Sequence, residues 1–141
     1  MVRSIVTNEI GVAPVYITND LLAANQTNSY LIQWIPQTYQ LIPEGLVFNL
    51  ASDQSFRDWP DPHLQIRGLA DGTVRFEKDD VVNLKVLPTY TSMLVNRGRY
   101  LALFNQHERA MLAFKEALTL NPGLVTAREG LEQSSAKLRK P

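Results

Sequence analysis

The chain has no cysteine, which excludes disulfides and cysteine-based metal sites and leaves the redox compartment open. It has two histidines, His63 and His107, too few to build a zinc site by themselves. It has no net charge, with Lys+Arg and Asp+Glu both at 14. That balance argues against a broad nucleic-acid footprint and against strong attraction to anionic lipid. No run reaches the roughly 18 apolar residues of a membrane span, and the apolar part of MVRSIVTNEIG is too short for a signal peptide. The patterns GxGxxG, GxxxxGK[ST], GxSxG and HExxH are all missing, so nucleotide binding and the commonest hydrolase chemistry have no support. The chain therefore reads as non-catalytic, with no cofactor and no metal.

The composition that remains is that of a soluble globular domain: 141 residues, 45% hydrophobic and 20% charged. Its best-organised stretch is LVNRGRYLALFNQHERAMLAFKEALTLNP, Leu94 to Pro122. Leu94, Leu101 and Phe104 form one helical stripe, with Gly98 on the same side. Asn105-Gln106 interrupts it, and Asn105 suits a helix C-cap or turn. The pattern restarts at Ala110, Met111, Phe114, Ala117 and Leu118. Asn121-Pro122 stops it, because the residue before proline is pushed out of the α region. Gly98 and Ala110 are small where two such helices would cross.

Glycine, alanine, aromatic, alanine and proline at the spacing of Gly98, Ala110, Phe114, Ala117-Leu118 and Pro122 resemble one tetratricopeptide (TPR) repeat, a helical hairpin with a period of about 34 residues. The first helix departs from that pattern. Leu94 stands where the family has tryptophan, Arg97 where it has leucine and Leu101 where it has tyrosine. One unit also falls short of the three or more repeats of a stable array. A third helix over Leu124–Leu138 follows, with a weak apolar face from Val125, Arg128, Leu131 and Ser135 and a basic end. It either caps the hairpin or begins a second repeat.

The N-terminal half reads differently. Arg3–Ile10 is a short helix or extended turn ended by Gly11. Pro14-Val-Tyr-Ile-Thr18 is β-branched and aromatic and predicts a strand. Asn19-Asp20 suits the cap of a short helix through Ala24, and Asn25-Gln26-Thr27 fits the glycosylation triplet. Tyr30–Trp34 is ambiguous between helix and strand and is closed by Pro36. TYQLI and LVFNL around Pro43-Glu44-Gly45 predict two strands. Leu64–Arg67 and Thr73–Glu77 flank Asp71-Gly72, a hairpin signal. Lys78-Asp79-Asp80 then starts a helical segment through Leu87, and Pro88 opens or breaks the next.

Pro14-Val15-Tyr16 and Pro43-Glu44-Gly45-Leu46, followed by the TPR-like tail, resemble the soluble C-terminal region of bacterial multispan membrane proteins related to protein O-mannosyltransferases. Ala13 stands where that family has arginine. The resemblance implies a non-spanning accessory domain of a larger membrane protein, on the outer face of the cytoplasmic membrane, with the catalytic part elsewhere.

Two clusters carry candidate binding chemistry. Asn96, Arg97 and Tyr100 lie on the side of the first helix that lines the groove in TPR arrays, and form a polar patch suited to an acidic or carboxylate-bearing segment. The competing reading is a solvated helix face. Trp59, flanked by Asp58 and Asp61, suits a sugar ring, with the indole stacking and the acids accepting from hydroxyls; equally, Trp59 pins a long loop to the core. His63 beside Asp61, the Glu77/Asp79/Asp80 cluster and the Asp53/Asp58/Asp61 series lack metal or acid–base spacing.

The expectation is an α+β fold. A small, mainly antiparallel sheet within residues 1–88 is followed by a helical region, 89–141, the two regions packed as one unit. The expected function is a protein-interaction or accessory module, its partner another protein or another part of its own longer chain. The alternative is a carbohydrate-contacting accessory domain of a membrane-embedded glycosyltransferase.

Overall fold

The computed structural model describes residues 2–19, 21 and 30–139. They form an α+β protein in the order α1 (Val2–Glu9), β1 (Val15–Thr18), α2 (Tyr30–Thr38), β2 (Gln40–Glu44), β3 (Val47–Ala51), α3 (Arg67–Ala70), a π-helical stretch (Val82–Val86), α4 (Leu87–Leu103), α5 (His107–Leu120) and α6 (Val125–Leu138). Most of the expected Asn19–Ala24 helix and the Asn25-Gln26-Thr27 triplet lie outside the described residues. The chain divides into two units, Met1–Pro60 and Asp61–Pro141. The division falls at Pro60–Asp61 rather than at 88–89, because Leu64 packs on the helical core and α3 against α5.

Unit one is built on a three-stranded sheet of order β1-β3-β2, both pairs antiparallel. The alternating apolar residues that predict strands sit in register: Val15 opposite Leu50, Ile17 opposite Phe48 and Leu41 opposite Leu50. One sheet face and the helices α1 and α2 bury Val6, Ile17, Ile35, Tyr39, Phe48 and Leu50 together. Glu44 pairs with Val47, so the β2–β3 turn is Gly45-Leu46, one residue later than Pro43-Glu44-Gly45. Gly45 has φ 65°, the left-handed first position that a II′ hairpin turn requires and glycine supplies at least cost.

Two expectations in this half need correction. Pro36 does not close the Tyr30–Trp34 segment: of its two readings, helix or strand, it takes the helix, and α2 runs through Pro36 to Thr38. The proline removes one backbone bond, while Ile35 and Tyr39, 2% and 8% exposed, hold the helix against the sheet. Asp71-Gly72 does not join two strands. Asp71 Oδ1 accepts from Thr73 N (2.9 Å) and Thr73 Oγ1 (2.6 Å), an Asx turn that follows the short helix α3. A Cβ on Gly68 would meet Val74 Cγ2 at 2.6 Å, so the chain folds back on itself locally and forms no ladder. The sheet is confined to residues 15–51.

Unit two is helical. Asp80 Oδ1 accepts from Val82 N at 2.7 Å and opens the helical run. Pro88 at the start of α4 lacks the N–H that an α-helix would bond to the turn before it, and that preceding turn is wider, π-helical. α4 ends in the way Asn105 predicts. Asn105 has φ 60°, its N–H bonds Ala102 O (3.1 Å), and Gln106 N bonds Leu101 O (2.8 Å), which is the Schellman closure. α5 ends at Asn121, extended before Pro122.

α4, α5 and α6 pack on one another in succession. Leu94, Leu101, Ala110, Phe114, Ala117 and Ala127 are 0–1% exposed at their centre. The Phe114 ring is gripped by two glycines: a Cβ on Gly98 would approach it to 2.7 Å and one on Gly130 to 2.4 Å. The apolar face expected for α6 is therefore rotated. Val125 is 60% exposed and Arg128 is exposed, whereas Ala127, Leu131 and Ser134 turn inward with Gly130. Small residues give a closer helix approach there than a large apolar stripe would.

Candidate functional site

Arg97 and Asp61, both singled out by the sequence, meet each other. Arg97 donates from Nε (3.1 Å) and Nη2 (2.9 Å) to Asp61 Oδ1. Arg109, from α5, donates from Nε (3.1 Å) and Nη2 (3.0 Å) to Oδ2. One carboxylate thus clasps a guanidinium on each helix of the hairpin. The Arg97 side chain is 4% exposed and the Asp61 side chain 46%. Such side-on pairs are charge-assisted and geometrically specific.

The clasp corrects the expected patch. Arg97 and Tyr100 are buried, at 3% and 5% exposure, and Asn96 is half-buried. Tyr100 packs on Phe104 with ring centroids 5.1 Å apart. The core accommodates an arginine at this position because its charge is matched from within the unit by Asp61. Glu116 is half-buried near this cluster. Burial raises its carboxyl pKa, and the Asp61 charge raises it further, with His63 acting in the opposite sense.

The second expected site is divided. Trp59 is 45% exposed and Asp58 is exposed, both in unit one. Asp61 belongs to unit two and is taken by the clasp. Asp58 is not part of that clasp. In the same loop Asp53 accepts from the Ser55 hydroxyl and backbone N–H and from Arg57 (2.8 Å), in that order of influence, and its pKa falls to about 2. It is a turn residue locked to its neighbours, not a cation ligand in waiting. Among the described residues no group of three His, Asp or Glu is placed to hold a metal ion, and no helix is long and apolar enough to cross a membrane.

A cleft the sequence did not announce lies between α4 and α6. It has a volume of about 370 Å³. Arg99, Ala102 and Leu103 come from α4, His107 and Phe114 from α5, and Thr126, Glu129, Gly130, Gln133, Ser134 and Lys137 from α6. Its floor is apolar where Phe114 lies against Gly130. Its walls carry two cations, Arg99 and Lys137, against one carboxylate, Glu129. Two polar atoms in it are buried without a hydrogen-bond partner among the described residues: Ser134 Oγ and His107 Nδ1. Ser134 is only 2% exposed. An unsatisfied buried donor is costly, so an orphaned hydroxyl in the wall of a cleft marks where an external group fits.

The sequence did hold a signal for this site. Thr126, Glu129, Gln133 and Lys137 recur at three and four along α6, a polar stripe on the helix flank that faces α4. That stripe goes unnoticed when α6 is scanned for large apolar residues alone. No family model matches the chain, and no curated protein and no solved structure gives a significant match.

Proposed function

We propose that this chain is a non-catalytic protein-interaction or accessory module whose working surface is the α4–α6 cleft. The occupant is an extended segment of a protein partner or of another part of its own longer chain. The observation that carries this reading is the cleft itself: an apolar floor, cations at Arg99 and Lys137, and polar atoms of Ser134 and His107 unmatched among the described residues. Pockets that bind are mostly apolar with a few convergent polar groups. The likeness of the Pro-Val-Tyr and Pro-Glu-Gly-Leu segments to O-mannosyltransferase-related membrane proteins supports a place as the soluble C-terminal part of such a protein.

The test is an NMR titration of the protein with acidic peptides and with the native flanking chain, wild type against Arg99→Glu. Arg99 is exposed, so its reversal leaves the fold intact. The expected result is amide shifts along both cleft-lining helices and a loss of affinity of about tenfold or more in the variant. Shifts elsewhere, or equal binding by the variant, would sink the reading.

The exposed indole of Trp59 favours a second one: carbohydrate contact in unit one, through ring stacking with Asp58 as the hydroxyl acceptor. Titration with a panel of simple glycosides, monitored by Trp59 fluorescence against Trp59→Ala, decides it.

A further inference from the structure

We propose that the end of the cleft where α4 turns into α5 is an oxyanion site, and that a carboxylate or phosphate group of the docked segment is what it anchors. The inference rests on the docking reading for the source of the anion; the site stands on its own geometry.

Four features converge there. His107 is the first residue of α5, and α5 has no side-chain cap at Gln106. The first N–H groups of a helix have no acceptor within it, and their end of the helix carries a partial positive charge. Such an end receives anions. The second feature is independent of the first. Ser134 is 2% exposed and lines the same cleft, and its Oγ has no partner among the described residues. A hydroxyl needs an acceptor, and an anionic oxygen is the strongest one. Third, His107 Nδ1 is buried in the cleft and likewise unmatched; as the Nδ1–H tautomer it donates too. Fourth, Lys137 follows Ser134 by one helical turn, and Arg99 reaches in from α4. Glu129 is the one carboxylate among the described lining residues, and Glu108 stands in the first turn of α5 outside that lining. Leu103 and Phe114 supply an apolar wall, and a low-dielectric wall strengthens each of these charge interactions.

The two sources share one chemistry, an anionic oxygen that accepts several N–H and O–H bonds at once. They differ in shape and charge, and small probes separate them. The test uses the full chain, isotope-labelled, titrated with sodium acetate and with inorganic phosphate, each against sodium chloride at matched ionic strength. The expected result is saturable amide shifts confined to 106–110 and 134–137. Competition between acetate and phosphate would establish one site, and the tighter of the two names the group. Ser134→Ala is expected to weaken the anion about tenfold while leaving the unliganded melting temperature unchanged or raised, since alanine suits a helix better and the orphaned hydroxyl is gone. Lys137→Gln is expected to weaken it further and to flatten its dependence on salt.

Non-saturating shifts spread over the surface, or equal anion affinity in Ser134→Ala, would overturn the site. The two proposals fail separately. Acidic peptides that bind along the cleft without any effect of Ser134→Ala would leave the docking reading standing and remove the anchor. Small anions that bind at 106–110 while no peptide does would keep the site and remove the docking reading.

Discussion

Asp61 is the residue on which unit two closes. Its two oxygens accept from guanidiniums on separate helices, and one of those guanidiniums is almost wholly out of water. Removing the acid takes away the carboxylate that the buried Arg97 and the more exposed Arg109 share. Asp61→Ala is expected to cost about 1–3 kcal/mol, scaled down from a fully buried pair because the carboxylate is half in solvent. Arg109→Ala, at the more exposed end, should cost about 1 kcal/mol or less. Urea melts of the two variants measure both, and an Asp61→Ala curve that overlays wild type would show that Arg97 is held by its surroundings alone. Glu116 supplies a pH signature in the same region. Its carboxyl holds its proton more tightly folded than unfolded, because of burial and then the Asp61 charge. Protonation therefore favours the fold: this contribution is whole below the ordinary glutamate pKa and is lost as pH rises through the raised one. Glu116→Gln should raise the melting temperature at pH 7 and leave it unchanged at pH 3. The gain is small, because much of the carboxyl stays in water.

At the scale of elements, the three helices are spaced by one aromatic ring. Gly130→Ala would place a methyl at 2.4 Å from Phe114, and the ring is boxed in by α4 on its other side. A loss of about 1–3 kcal/mol is expected, with Gly130→Ser at least as costly, read from thermal melts; a neutral Gly130→Ala would mean that α6 slides freely on α5. This contact was not legible in the sequence, because glycine has no side chain to join an apolar stripe and Gly130 sits in a helix with few large residues. The α4–α5 pair was legible, since its stripe, its Asn105 turn and its Asn121-Pro122 stop are all local. The β2–β3 hairpin was legible for the same reason. The Asp71-Gly72 signal marked a true turn, but the side chains of Asp71 and Thr73 satisfied it locally, and a two-strand ladder beyond it had no third strand to support it. The Asp61–Arg97 pair spans 36 positions, and no local pattern connects residues at that distance. Hence the sequence shows the arginine on its helix and not the aspartate it meets.

At the scale of the whole molecule, each unit has its own core, and the chain passes between them at Pro60–Asp61. Residues 61–141 expressed alone should therefore give a helical circular dichroism spectrum and a single cooperative melt. Residues 66–141, which lack both Asp61 and Leu64, should melt lower or not cooperatively. Equal melts for the two fragments would show that the segment before α3 contributes nothing to the helices. The position of the clasp in the chain has a mechanical consequence. Tension drawn along the backbone from unit one enters unit two at Asp61, and there it is divided between α4 and α5 before it can reach Leu64 or the turn at Asp71. The ion pairs act as the strain relief on a cable, so that a pull on the junction is taken up by two helices at once before it reaches the segment that follows Asp61.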